Sequence, residues 1–284
     1  MKNNSTLNNL GFQHYLDSKR ETLFYEYQQN KEIRKLLHFK KMNTFFQPIL
    51  SLKEGCTVGF EVLNRPQSTE LFPTTEKFYD FIGKSRDVFF TEQFLRRLSV
   101  ERYSEQVMNS QPFRNHLVFL NIQPQVLADP TYQSGKTLEL LSEFNLSPDQ
   151  IVLELTEKES VIDYKQFEKI IGNYREQGFR IAVDDAGTGY NSLKTLIYLK
   201  PEFIKIDKAI IRHIDEYQMQ QHLVELLLEF SNQSETKVIA EGIETLDELR
   251  FLQNLGVQMG QGFLLGKPLQ ELKNGIVPNY ENIS

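Results

Sequence analysis

The sequence is poor in cysteine: Cys56 is the only one in 284 residues. With no second thiol to pair with, an internal disulfide is excluded and a reducing cytoplasm is the expected setting. Nothing near Cys56 offers a nucleophile's base, and it reads as a small packing residue beside a turn. Long apolar runs are missing as well. No stretch approaches the roughly 20 apolar residues of a membrane-spanning helix, and the opening MKNNSTLNNLGF lacks the apolar core of a secretory signal. Nor is positive charge in excess. Lys and Arg number 32 against 38 Asp and Glu, a formal net charge of -6, which argues against DNA or an anionic membrane as partner. The five histidines, His14, His38, His116, His213 and His222, are dispersed, so with one cysteine a zinc site finds no support.

What is present is ordinary globular material, 40% apolar and 25% charged, in a chain long enough for one generous core. Residues 1–41 are polar, with Leu16, Leu23, Tyr27, Ile33, Leu36 and Leu37 spread along them. They read as a helical N-terminal extension, a docking or dimer element. Residues 42–284 read as a single further domain, because no Pro/Gly/Ser-rich linker interrupts them. There, short strand-like runs alternate with helical segments, the signature of an α/β protein. The runs are TFFQPIL, TVGFEVLNR, HLVFLNIQP, IVLELTE, RIAVDD, FIKID, KVIAEGIE and MGQGFLL; eight is the number that closes a barrel. Punctuation between them is helical. Asp163 can cap a helix through Phe167, Ile170 and Ile171 that Gly178 ends, and Thr245 with Glu248 has the spacing of a capping box closed by Gly256. Amphipathic spacing marks two more helices, over Asp87–Met108 and Gln220–Phe230.

The chemistry gathers where strands end. Those ends carry Glu61, Asn121, Glu154 with Glu157, Asp184 with Asp185, Lys205 with Asp207, and Glu241 with Glu244. In a barrel of parallel strands such ends converge on one face, where active sites are built. Adjacent carboxylates such as Asp184 and Asp185 are costly unless a cation lies between them. Oxygen ligands of this kind suit Mg²⁺ or Mn²⁺, and a carboxylate-rich face with one lysine fits two-metal hydrolysis of a phosphate ester. Lys205 would orient water or balance charge. No Ser or Cys nucleophile with a His partner is visible, which speaks against a covalent route.

In order along the chain, the motifs FQPI, GFEVLNR, LNIQP, LELTE, DDAGTGYNSL, IKID, IAEGIE and QGFLLGKP run from Thr44 to Pro268. Through them the chain resembles the EAL domain family, bacterial phosphodiesterases that open cyclic di-GMP to linear pGpG. The resemblance implies a modified (β/α)8 TIM-like barrel with its first strand antiparallel, a homodimer, and two Mg²⁺ or Mn²⁺ ions. By the same resemblance Glu61, Asn121, Glu154 and Asp184 bind the first metal. Asp184 bridges to a second, which Asp185 and Glu241 also hold, and Lys205 stands beside the catalytic water. Glu61, Asp185, Lys205 and Glu241 are thus the catalytic set. Glu157 matches the glutamate that anchors the loop after Asp185. Gln47, Leu63 and Arg65 match substrate contacts, and Glu244 and Gln261 match polar residues of the rim.

Two departures stand out. Val62 replaces the usual alanine after Glu61, on the opposite face of the strand. Ala186 replaces the usual phenylalanine after Asp185, which leaves the loop short of an aromatic anchor and suggests that Ala186→Phe would restore it. An alternative reading follows from Ala186, a weak or inactive receptor or protein-interaction module of the same family. No GGDEF sequence stands ahead of the domain, so synthesis of the cyclic dinucleotide is not expected.

Overall fold

The computed structural model describes residues 3–38, 41–85, 87–109, 111–123, 135–156, 164–187 and 192–278. They form two compact units, Met1–Asn43 with Arg65–Phe81, and Thr44–Asn64 with Ile82–Ser284. The first contains one long helix, α1 (Asn3–His38). No proline breaks it, and from Gln13 onward Gln, Glu, Lys and Leu favour it. Lys35 and His38 in its last turn meet the negative end of the helix dipole. Its final turns bury Ile33, Leu36 and Leu37, while Phe12, Leu16, Leu23 and Tyr27 stay exposed. In the other segment of this unit the buried Phe72 and Phe78 rings lie 5.6 Å apart at 85°, and the Thr74 hydroxyl accepts from the Lys77 N–H at the start of helix α2 (Thr75–Lys84).

Eight strands close into a barrel in sequence order: β1 (Met42–Ser51), β2 (Thr57–Pro66), β3 (Leu117–Ile122), β4 (Ile151–Thr156), β5 (Arg180–Ala186), β6 (Phe203–Ile206), β7 (Lys237–Ala240) and β8 (Met259–Gly260). From β2 to β8 each strand runs parallel to the next, whereas β1 meets β8 antiparallel, with Leu50 opposite Gly260. This is the inverted first strand that the resemblance implies. The last two strands are shorter than their apolar runs. Gly242, at φ +69°, turns the chain away after β7, and a Cβ there would run into Lys208.

Alternation of side chains sorts the barrel into layers. Ile49, Phe119, Val152, Ala182, Phe203, Ile239 and Met259 pack together inside it, with the Phe119 and Phe203 rings 5.3 Å apart. On β2 the matching position is Gly59, where an added Cβ would lie 3.1 Å from the Phe119 ring and 2.8 Å from the Leu117 carbonyl. Outward neighbours such as Phe60, Val62, Leu120, Leu153, Val183 and Ile204 join the larger core. That core is completed by α3 (Val88–Asn109), α4 (Lys136–Glu143), α5 (Tyr164–Glu176), α6 (Ser192–Leu199), α7 (Lys208–Ile211), α8 (Gln218–Ser234) and α9 (Leu246–Leu255). The Thr245–Glu248 capping box forms, and Gly256 ends α9 at φ +89°. Gly178, at φ +95°, follows α5; Asp163, the expected cap of that helix, lies outside the described residues. Cys56 is exposed, its thiol 3.6 Å from a Glu54 oxygen, and not the packing residue its small size suggested.

Ala186 is the second correction. It is completely buried at the end of β5, paired with Ile206 across the ladder, so it lies in the core and not in a loop that lacks an anchor. An added aromatic ring has to displace packed neighbours. Ala186→Phe is therefore expected to cost about 1–3 kcal/mol and to lower the melting temperature; an equal or higher melting temperature would contradict this packing.

Candidate active site

Two residues beyond the apolar layer, each parallel strand presents a polar side chain on the same inner face. Glu61 follows Gly59, Asn121 follows Phe119, Glu154 follows Val152, Asp184 follows Ala182, Lys205 follows Phe203, Glu241 follows Ile239 and Gln261 follows Met259. The period of two that fills the barrel with apolar groups thus also builds its polar mouth. On the inverted β1 the same step runs backwards, from Ile49 to Gln47.

At the centre stands Lys205, only 1% exposed. Its Nζ lies 2.7 Å from Glu241 Oε1, 2.8 Å from Glu154 Oε1, 3.2 Å from Asp184 Oδ1 and 3.3 Å from Glu61 Oε2. Glu61 is also held by Gln261 Nε2 at 2.9 Å and Asn121 Nδ2 at 3.3 Å, one on each oxygen. Asp185 joins through an irregularity. Register shifts between Val183 and Ala186, and Asp185 adopts φ +57°. In a regular strand its side chain would face away from that of Asp184. The bulge and the left-handed residue instead bring carboxylate oxygens of Asp184, Asp185 and Glu241 within 4.8 Å of one another.

One ammonium does not neutralise five carboxylates, and the pKa shifts of the group follow from that. Burial pushes Glu154 well above the usual carboxylate range despite Lys205, with Glu61 and Asp184 adding to the rise. Burial also pushes Glu241 up to about 8, against the pull of Lys205. Glu61 is lowered: burial would raise it, but Lys205, Gln261 and Asn121 outweigh that. Burial would likewise lower Lys205, yet the surrounding Asp184, Glu154, Glu241 and Glu61 hold its ammonium form well above the ordinary range. Both Glu154 oxygens and Asp184 Oδ1 are buried without a well-formed hydrogen bond. Buried anionic oxygens that share one ammonium call for a further cation, and an all-oxygen set suits a hard divalent ion. The residues fit a metal.

Other expected residues are placed differently. Gln47 donates to the Gly266 carbonyl at 3.3 Å. Leu63 is half-buried on β2, and Arg65 is exposed and belongs to the first unit. Glu244 pairs with Arg212 at 2.6 Å, and that hydrogen bond holds its carboxyl below the usual value. Gln261 is buried and bound to Glu61, not set at a rim. Glu157 lies outside the described residues. The sequence reading missed the wider reach of Glu248, which it had only as half of a capping box. Its buried carboxylate accepts from the N–H groups of Glu244, Thr245 and His213, so it fixes the loop that leaves Glu241. Burial would raise Glu248, but those donors hold it below the usual value.

The raised Glu241 fixes the direction of a pH effect. Below about 8 its carboxylate keeps a proton, which a metal must displace, so metal affinity should fall as pH falls. Calorimetric titration of chelator-treated protein with Mn²⁺, in buffers of different ionisation enthalpy, should show more proton release at about pH 6.5 than at about pH 8.5. Equal release at both would refute the assignment.

Comparison with known proteins places this geometry. A family model described as the EAL domain matches residues 30–268. Among curated relatives, the Escherichia coli K12 protein named probable cyclic di-GMP phosphodiesterase PdeB is 32% identical over 228 residues, which cover 79% of this chain and 42% of that protein. The chain spans less than half the length of this relative. Among solved structures, the EAL enzyme Bd1971 in its cAMP- and cyclic-di-GMP-bound form superposes with a TM-score of 0.79 at 25% identity, covering 90% of this chain and 69% of that one. The calcium and cyclic-di-GMP complex of Klebsiella pneumoniae BlrP1 gives 0.71, also at 25% identity, over 83% and 58% of the two chains. With an inverted-strand barrel, a carboxylate mouth around Lys205 and a family match over most of its length, the chain belongs to the EAL domain family.

Proposed function

We propose that this chain hydrolyses cyclic di-GMP to linear pGpG. The observation that carries the reading is the gathering of Glu61, Glu154, Asp184 and Glu241 around Lys205 at the barrel mouth, in a chain whose relatives bear phosphodiesterase names. Two divalent ions, Mg²⁺ or Mn²⁺, would supply the positive charge that offsets the phosphodiester oxygens and acidifies water. Glu61, Asn121, Glu154 and Asp184 would hold one ion, and Asp184, Asp185 and Glu241 the other. Lys205 directs its ammonium N–H groups into the same space, where they position the attacking water and offset charge on the transferring phosphate. Gln261 and Asn121, each donating to one oxygen of Glu61, fix that carboxylate's orientation. Gln47 and Leu63 are proposed substrate contacts. The anchoring role of Glu157, the homodimer, a docking role for residues 1–41 and a cytoplasmic setting belong to the same reading.

The direct test is conversion of cyclic di-GMP to pGpG by purified protein with Mg²⁺ or Mn²⁺. Glu61→Ala and Asn121→Ala should each lower the rate more than about a hundredfold while leaving the circular dichroism spectrum unchanged. Full activity in folded Glu61→Ala protein would remove Glu61 from the metal set. Excess Ca²⁺ should suppress the Mg²⁺-supported rate, because Ca²⁺ takes more ligands at longer distance and in looser geometry. Equal turnover with Ca²⁺ as the sole metal would count against the mechanism.

A further inference from the structure

Strand β2 outruns its neighbour. Its ladder with β3 ends where Val62 faces Leu120, yet β2 continues to Pro66. Leu63, on the same strand face as Glu61, thus lies past the last pair of that ladder. A buried polar side chain on the opposite face holds this stretch. Asn64 is 9% exposed. Its Oδ1 accepts from the Thr44 hydroxyl of β1 at 2.6 Å. Its Nδ2 donates to Ser99 Oγ at 2.7 Å and to the Leu95 carbonyl at 3.4 Å, both on α3. Thr44 Oγ1 in turn accepts from Arg102 Nη1 at 2.7 Å, and Ser99 Oγ donates to the Leu95 carbonyl at 3.0 Å.

One amide therefore joins β1, β2 and α3, using both its acceptor and its donors. Thr44 and Ser99 are each 4% exposed. Valine and leucine would fill the same space with no polar group to desolvate, so stability alone does not call for this network. What hydrogen bonds add is direction, since they fix distance and angle where apolar contacts tolerate sliding. Slipping β2 by one residue would turn Leu63 to the outer face and break every bond of Asn64. The metal-site end of β2 is secured separately. Glu61 lies within the β3 ladder, opposite Phe119, and is bound by Lys205, Gln261 and Asn121.

Taking cyclic di-GMP as the substrate, we propose that Asn64, with Thr44 and Ser99, is a positioning residue that holds Leu63 against the dinucleotide and leaves the metal ligands untouched. The double variant Thr44→Val, Asn64→Leu keeps the packed shape and leaves neither partner unpaired, while Arg102, partly exposed, can turn to solvent. Its melting temperature should stay within about 3 °C of the parent, and its Mn²⁺ affinity should not change. Cyclic di-GMP affinity, measured by calorimetry with Ca²⁺, should weaken by about tenfold. With Mg²⁺, KM should rise about tenfold and kcat stay within about twofold. Thr44→Ser, which keeps the hydroxyl, should bind like the parent. Ser99→Ala removes a single oxygen and should weaken binding by about threefold, which serves as the test if the double variant does not fold. Leu63→Ala should weaken binding in the parent but add little in the double variant, where Leu63 is already misplaced. The proposal is overturned if the double variant or, failing that, Ser99→Ala binds as tightly as the parent, if Mn²⁺ affinity falls alongside, or if the Leu63→Ala loss is fully additive. Parent protein that binds the dinucleotide in Ca²⁺ but does not cleave it in Mg²⁺ would refute the phosphodiesterase reading, and the affinity ratio would still decide the role of Asn64. Parent protein that binds no dinucleotide overturns both.

Discussion

The mouth of the barrel depends on a single buried cation. An ammonium with 1% exposure is tolerable only where anions surround it, and buried carboxylates are tolerable only where cations do. Lys205 satisfies both conditions at once, with four carboxylates from four strands within 3.3 Å. The balance is incomplete. Glu154 and Glu241 are forced upward in pKa by burial, which the one ammonium among the described residues of the mouth does not offset. A structural salt-bridge cluster would be near neutrality; this one is short of cations.

The fold holds such a cluster together by keeping the level below it dry and full. Phe119 and Phe203 occupy the barrel interior, and Gly59 leaves room for the Phe119 ring. The polar residues stand two positions further along each strand, so their direction is fixed by backbone pleat and not by flexible loops. Where a loop does matter, a buried group secures it. Glu248 collects three backbone N–H groups around the turn that leaves Glu241, which limits the freedom of that carboxylate without touching it.

The carboxylate oxygens of the mouth are under-supplied with donors. Both Glu154 oxygens and Asp184 Oδ1 are buried without a well-formed hydrogen bond, and the one Lys205 ammonium is shared among four carboxylates. Buried polar groups left in that state are rare and expensive, so the mouth is a place that a further cation would complete.

By itself, the sequence determined whatever local chemistry repeats. Period-two runs marked the strands, Thr245 with Glu248 and Gly256 bounded α9, and polar residues after apolar runs located the mouth, because alternation and capping act over a few residues. It could not place Lys205 among Glu61, Glu154, Asp184 and Glu241, since those contacts join strands far apart in the chain. It named Asp185 without showing how neighbouring side chains could face one way; that needed the register shift and φ +57°. It set Gln261 at a rim and Ala186 in a loop, whereas closure of the barrel carries Gln261 onto Glu61 and buries Ala186 beside Ile206. Local pattern fixes which face a side chain takes; only closing the barrel fixes what it meets there.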